Sequence, residues 1–381
     1  MPEPVVDAVE QAAGAGRGVF ARLAAEGVAL WLDGPDEDAL ARAVAAGRVT
    51  GARLGAASAG RALAPDARAA ELTALAARGA GPAEALHALT AAHARRACDL
   101  LLAVHTRTGG RDGLVSVALD PGPAGDAAGL VARARALRDA VGRPNLVVAL
   151  PAARAGAVAD CLAAGIAVEA AGIFSPARHR QVSDAFLDGL ERARAAGHDL
   201  APLAALASFP LAPLDAAVDS RLAESGSAEA RAMAGRSAPA HARLAYQAYE
   251  EGLAGPRWRA LAAAGARPPR PLWTATDVRD PRYRDTRYVE ELVAPDAVCA
   301  VDAATLDAVA RHAQVPGDRV RRHYADARRL LGYLPWFGIS HEQVAASLEA
   351  AELAAASAAR TALAAAVERE LRVRGGAPAS V

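Results

Sequence analysis

The chain has 381 residues with 43 basic and 43 acidic side chains, and every basic residue is arginine; lysine is absent. A formal net charge of +0 gives no electropositive surface for nucleic acid, and Cys98, Cys161 and Cys299 are too few and too far apart for a disulfide framework or a zinc knuckle. The amino terminus lacks the basic-then-apolar order of a signal sequence, and no stretch reads as a bilayer span, since Arg360, Glu368 and Glu370 interrupt the Ala-rich C-terminal segment, so a cytoplasmic protein without membrane contact is expected.

Short runs of Val, Leu and Ile recur along the chain between longer helical patterns. Eight are expected to be strands: Val28–Asp33, Arg48–Gly55, Leu114–Asp120, Asn145–Pro151, Ile166–Phe174, Leu203–Leu211, Arg270–Thr276 and Asp296–Asp302. Several are nearly continuous in apolar character, as parallel strands buried on both faces are. Between them the 3.6-residue period predicts helices over Pro123–Ala140, Ala155–Ala164, Arg178–Ala196 and Ala228–Ala264. Asp120 before Pro121 and Ser175 before Pro176 mark strand exits and helix starts. Eight alternations of strand and helix spell an α/β chain folded as a single (β/α)₈ barrel, which absorbs residues 1–374 in one domain. Two additions are expected: a pair of helical patterns in Asp66–Val104, and a long helix over His341–Arg374 that packs across the barrel. Residues 375–381 are expected to form a disordered tail.

Several segments, in this order, resemble bacterial transaldolases: GVALWLD (Gly27–Asp33), RPNLVVALPA (Arg143–Ala152), DAFLDGLERARAAGHDL (Asp184–Leu200), ARLAYQAYEE (Ala242–Glu251), PLWTATDVRDPRYRDTRYVEELVAPDAV (Pro271–Val298) and ATLDAVARHAQVPGD (Ala304–Asp318). Together they cover most of the chain from about Gly27 to Glu349. The resemblance implies a (β/α)₈ barrel that moves a dihydroxyacetone unit between sugar phosphates. It also implies a mechanism in which a lysine amine on the fourth strand forms an imine with a ketose.

That lysine position falls on Ala149, and a methyl group forms no imine. The glutamate and threonine that the family uses to manage protons through a water fall on Ala118 and Ala171. The family's Val-Thr-Ser-Asn-Pro turn after the second strand reads Val49 to Arg53 here, with Ala52 at the asparagine. An asparagine of the fifth strand reads Glu169, and the phosphate-binding arginine after the sixth reads Pro213. Removing a buried carboxylate together with its cationic partner costs less than removing either alone, so the losses form a set.

Other positions are kept, each with two readings. Asp33 matches a family aspartate of proton transfer, or it caps the following turn. Arg279 matches a cation for the substrate phosphate, or it pairs with Asp277 or Asp280. Ser208 meets a ligand, or its hydroxyl is satisfied by backbone. Glu169, flanked by alanines, serves acid–base chemistry if it points inward, or it pairs with an arginine such as Arg53. Arg178 and His179 lie where barrel active-site loops gather, with a helix-surface role as the plainer alternative. The histidines have no zinc-ligand spacing, so neither metal nor cofactor is expected.

The expected function is therefore a transaldolase-like pseudoenzyme that retains sugar-phosphate or partner binding. The alternatives are a repurposed enzyme doing non-covalent acid–base chemistry on a sugar phosphate or related carbonyl metabolite, and a protein partner of an active paralogue or pathway enzyme.

Overall fold

The computed structural model describes residues 18–55, 68–119, 126–278 and 280–375. Eight parallel strands close into a barrel in chain order: β1 (Ala29–Asp33), β2 (Gly51–Leu54), β3 (Leu114–Ala118), β4 (Leu146–Pro151), β5 (Val168–Ala171), β6 (Ala205–Pro210), β7 (Arg270–Thr274) and β8 (Val298–Val301). β8 pairs back onto β1 through Trp31 and Ala300. All eight expected strands are present, each shorter than its apolar run, because the run continues into buried connections that carry no ladder.

Alternation along each strand divides the side chains into two sets. One set packs between barrel and helices. The other fills the barrel's lower interior with Trp31, Leu114, Val147, Leu206, Leu272 and Val298. The helices start where short polar side chains accept backbone N–H groups: Asp36 from Ala39, Ser175 from Arg178, Asp302 from Thr305. Ser175–Pro176 thus begins a helix as the sequence indicates, whereas Asp120 lies outside the described residues.

Two helical expectations need correction. The expected helix from Pro123 starts at Ala127, with Asp126 as its cap. The expected single helix Ala228–Ala264 is three: Ala228–Met233, Ser237–Leu253 and Pro256–Ala263. Its first break is held by Asp219, whose carboxylate accepts the Gly235 N–H at 2.8 Å; the second falls at Gly255–Pro256, where proline has no N–H to continue the ladder. The Asp66–Val104 region contains Ala69–Ala77 and Pro82–Arg107, the latter running past the expected end.

The C-terminal helix, His341–Arg374, is 34 residues, or about 50 Å, long. Val344 and Ala345 bury its first turns, and Val367 and Leu371 join Leu72, Leu75, Leu86 and Leu89 in a separate apolar cluster. Between these anchors the helix crosses the carboxyl end of the barrel. By length and composition it is apolar enough to cross a bilayer, which corrects the expectation that no segment is. Alanine supplies that apolar character, and Glu352 and Arg360 are too little charge to cancel it. Of the expected tail, only Gly375 lies within the described residues.

Candidate active site at the carboxyl mouth of the barrel

Register alone brings the altered positions together. Ala118 lies opposite Ala149, Ala149 opposite Glu169, and Pro151 opposite Ala171, on three successive strands. Ala118, Ala149 and Ala171 form a methyl-lined wall of a cavity of about 90 Å³, closed on other sides by Arg53, Gly172 and Glu352.

Beneath that wall an ion network spans the barrel. Arg53 on β2 donates from Nε to Glu169 Oε1 at 2.9 Å, and its Nη1 lies 3.5 Å from Asp33 Oδ2. Ser116 donates to the other oxygen of Glu169 at 2.5 Å. Glu169 is fully buried and both of its oxygens are engaged. Glu169 thus pairs with Arg53, the plainer of the two roles open to it. Burial would lower the Arg53 pKa, but Glu169 and Asp33 prevail and hold it above the ordinary arginine value. Burial likewise pushes Asp33 above the usual aspartate range, against the pull of Arg53 and with Glu169 adding to the rise.

The C-terminal helix completes the site. Its Glu352 has an Oε2 with no hydrogen-bond partner among the described residues, pressed against Gly172, whose φ is +80° and at which a β-carbon would stand 2.7 Å from that oxygen. Burial raises the Glu352 pKa, Arg53 opposes the rise, and Glu169 and Glu349 add to it. One turn earlier Glu349 takes a two-pronged bond from Arg178, at 2.9 and 2.7 Å. This clamp ties the helix to the segment after β5.

The remaining expected site residues scatter. Ala52 is buried in the cluster between barrel and helices, and its neighbour Arg53 takes the inward position; both lie on β2 itself, not in a turn after it. Pro213 sits in the first turn of helix Ala212–Ser225 and does not line the cavity. Ser208 is satisfied by Thr274 of β7, at 3.2 Å between hydroxyls, and not by backbone. Arg279 lies outside the described residues. His179 is buried, not on a helix surface, and burial lowers its pKa to about 4. Among the described residues no three His, Cys, Asp or Glu side chains are placed to hold a metal ion.

Sequence reasoning missed Glu349 and Glu352. They sit three apart on the helix expected to pack across the barrel, which does reach the carboxyl mouth, but the helical pattern did not single out which of its side chains face it.

Residues 30–367 match the family Transaldolase/Fructose-6-phosphate aldolase. The chain belongs to that family. It is 45% identical over 360 residues to the transaldolase of Acidothermus cellulolyticus, a match covering 92% of this chain and 96% of that protein. Transaldolase 1 of Streptomyces avermitilis is 46% identical over 307 residues, covering 80% of this chain and 81% of that protein. Transaldolase 1 of Streptomyces coelicolor is 47% identical with the same coverage. This transaldolase-family barrel therefore carries an alanine-walled cavity, an internal ion network and a helix laid over both.

Proposed function

We propose that this transaldolase-family chain does not transfer dihydroxyacetone through an imine and acts as a pseudoenzyme on the family scaffold. The carrying observation is that Ala149, at the position the resemblance assigns to the lysine, forms one cavity wall with Ala118 and Ala171 in a chain without lysine. Imine formation needs a neutral primary amine beside the carbonyl, and the wall offers only methyl groups. The cavity of about 90 Å³ is also well below the roughly 300 Å³ at which small-molecule sites begin. Retained binding of a sugar phosphate, of which the family's named fructose 6-phosphate is an example, requires the C-terminal helix to withdraw. Partner binding does not.

The test is borohydride reduction of the purified protein in the presence of fructose 6-phosphate or dihydroxyacetone, read by intact mass and peptide mapping. No internal adduct is expected, nor turnover of sedoheptulose 7-phosphate. An adduct on any internal residue overturns the reading.

Non-covalent acid–base chemistry on a related carbonyl metabolite rests on Asp33, whose raised pKa and position beside Arg53 suit a proton carrier. Glu169 weighs against it, since neither of its oxygens is open to a substrate.

A further inference from the structure

The opposite, amino-terminal end of the barrel contains a larger space. A cavity of about 390 Å³ opens there, lined by Leu114, Ala204 and Leu206 on its floor and by Arg111, Arg267 and Arg270 on its rim. Its volume falls within the range of small-molecule sites, roughly 300–1,000 Å³, whereas the cavity at the carboxyl mouth does not.

The rim charges are unequal. Arg111 pairs with Asp296. Arg270 pairs with Asp112 at 2.7 Å and donates to the Asp296 carbonyl at 2.9 Å. Arg267 donates only to the carbonyl of Gly109, and among the described residues no carboxylate lies within ion-pair distance of it. Its guanidinium is set against the Gly109–Gly110 turn. Gly110 has φ +88°, and a β-carbon there would stand 3.0 Å from Arg267 Nη1 and 3.2 Å from His105 Nε2. The positive φ favours glycine here, and the missing side chain leaves room for Arg267 to lie along the turn, with its charge at the edge of an apolar floor. Burial and then the nearby Arg267 charge lower the pKa of His105, which faces the same turn.

We infer that this end of the barrel binds a small molecule carrying an oxyanion on a compact apolar body, with the anion at Arg267 and the body on Leu114, Ala204 and Leu206. A planar guanidinium recognises phosphate and carboxylate alike, so the shared chemistry is the oxyanion. The apolar floor excludes a ligand that is polar throughout, and separates this site from one for a sugar phosphate.

The experiment is calorimetric titration of the full chain with phenyl phosphate, benzoate and inorganic phosphate. Phenyl phosphate or benzoate is expected to bind saturably and more tightly than inorganic phosphate, and which of the two is preferred identifies the oxyanion. Arg267→Gln should weaken the preferred probe by about tenfold or more. Ala204→Leu, which narrows the floor and keeps the charge, should weaken the aromatic probes without changing inorganic phosphate. Absence of saturable binding, or binding unchanged by both substitutions, overturns the proposal. If Arg267→Gln does not fold, backbone amide shifts decide: phenyl phosphate must perturb Gly109 and Gly110 in the unaltered chain and leave Gly172 unmoved, and the reverse pattern refutes the site.

Discussion

Arg53 and Glu169 stand 116 residues apart in the chain and 2.9 Å apart in the barrel. Each is buried beside the other, so removing either leaves a buried charge short of its nearest partner, with Asp33, 3.5 Å from Arg53, offsetting the loss of Glu169 only in part. Glu169→Ala should therefore destabilise the protein by about 3–5 kcal/mol in urea unfolding, and Arg53→Met with Glu169→Leu should recover most of that loss. A single-variant cost under about 1 kcal/mol would show that the network is solvated and not a closed ion pair.

Over the mouth, the C-terminal helix seats the Glu352 carboxylate where a side chain of Gly172 would be. Gly172→Ala strains the backbone at φ +80° and drives a methyl group into Glu352. The expected cost exceeds about 1 kcal/mol, and Glu352→Ala in the same chain should return the steric part of it. If the two costs simply add, Glu352 does not occupy that space in solution.

His179 and His241 are both buried, and burial lowers each pKa from 6.5 to about 4. A depressed folded-state pKa means that the unfolded chain takes up these protons first. Their contribution to stability is complete above pH 6.5 and is lost as pH falls towards 4, at on the order of 1.4 kcal/mol per pH unit for each ring. Asp215, raised to about 6 by burial, acts with the opposite sign between its ordinary value of 3.8 and about 6. The clean measurement is therefore a difference: the stability gap between the unaltered chain and His179→Gln should shrink steadily from pH 6.5 to 4.5. A constant gap would mean that the imidazole is reached by water.

Restoring the lysine by itself should restore little. In Ala149→Lys the new amine stands in register with Glu169, and a carboxylate so close favours the charged, non-nucleophilic form. Turnover of sedoheptulose 7-phosphate is expected to stay at background for the single substitution and to rise measurably only when Ala118→Glu and Ala171→Thr accompany it. Equal activity in the single and triple variants would remove the proton-handling positions from the account.

The eight strands were legible because a parallel strand buried on both faces must be apolar throughout, and such a run stands out between amphipathic helices. Strand order followed from alternation with helices, and the alanine positions were found through the resemblance. The first break within Ala228–Ala264 was not legible, since it is Asp219, from a different helix, that holds the backbone out of the helical path; the second falls at a Gly-Pro pair visible in the chain.

What the sequence by itself determined is the repeating βα unit, because burial pattern and helix caps are local properties of neighbouring residues. Only the closed barrel decided which charges meet. The sequence offered Arg53 as one partner for Glu169 beside an acid–base role, and ring closure brought β2 and β5 near enough for the two side chains to meet. Glu352 came to the mouth because the C-terminal helix is pinned at both ends by apolar contacts with helices far away in the chain. Such pairings depend on the distance between elements after packing, and that distance is not written in any local run of residues.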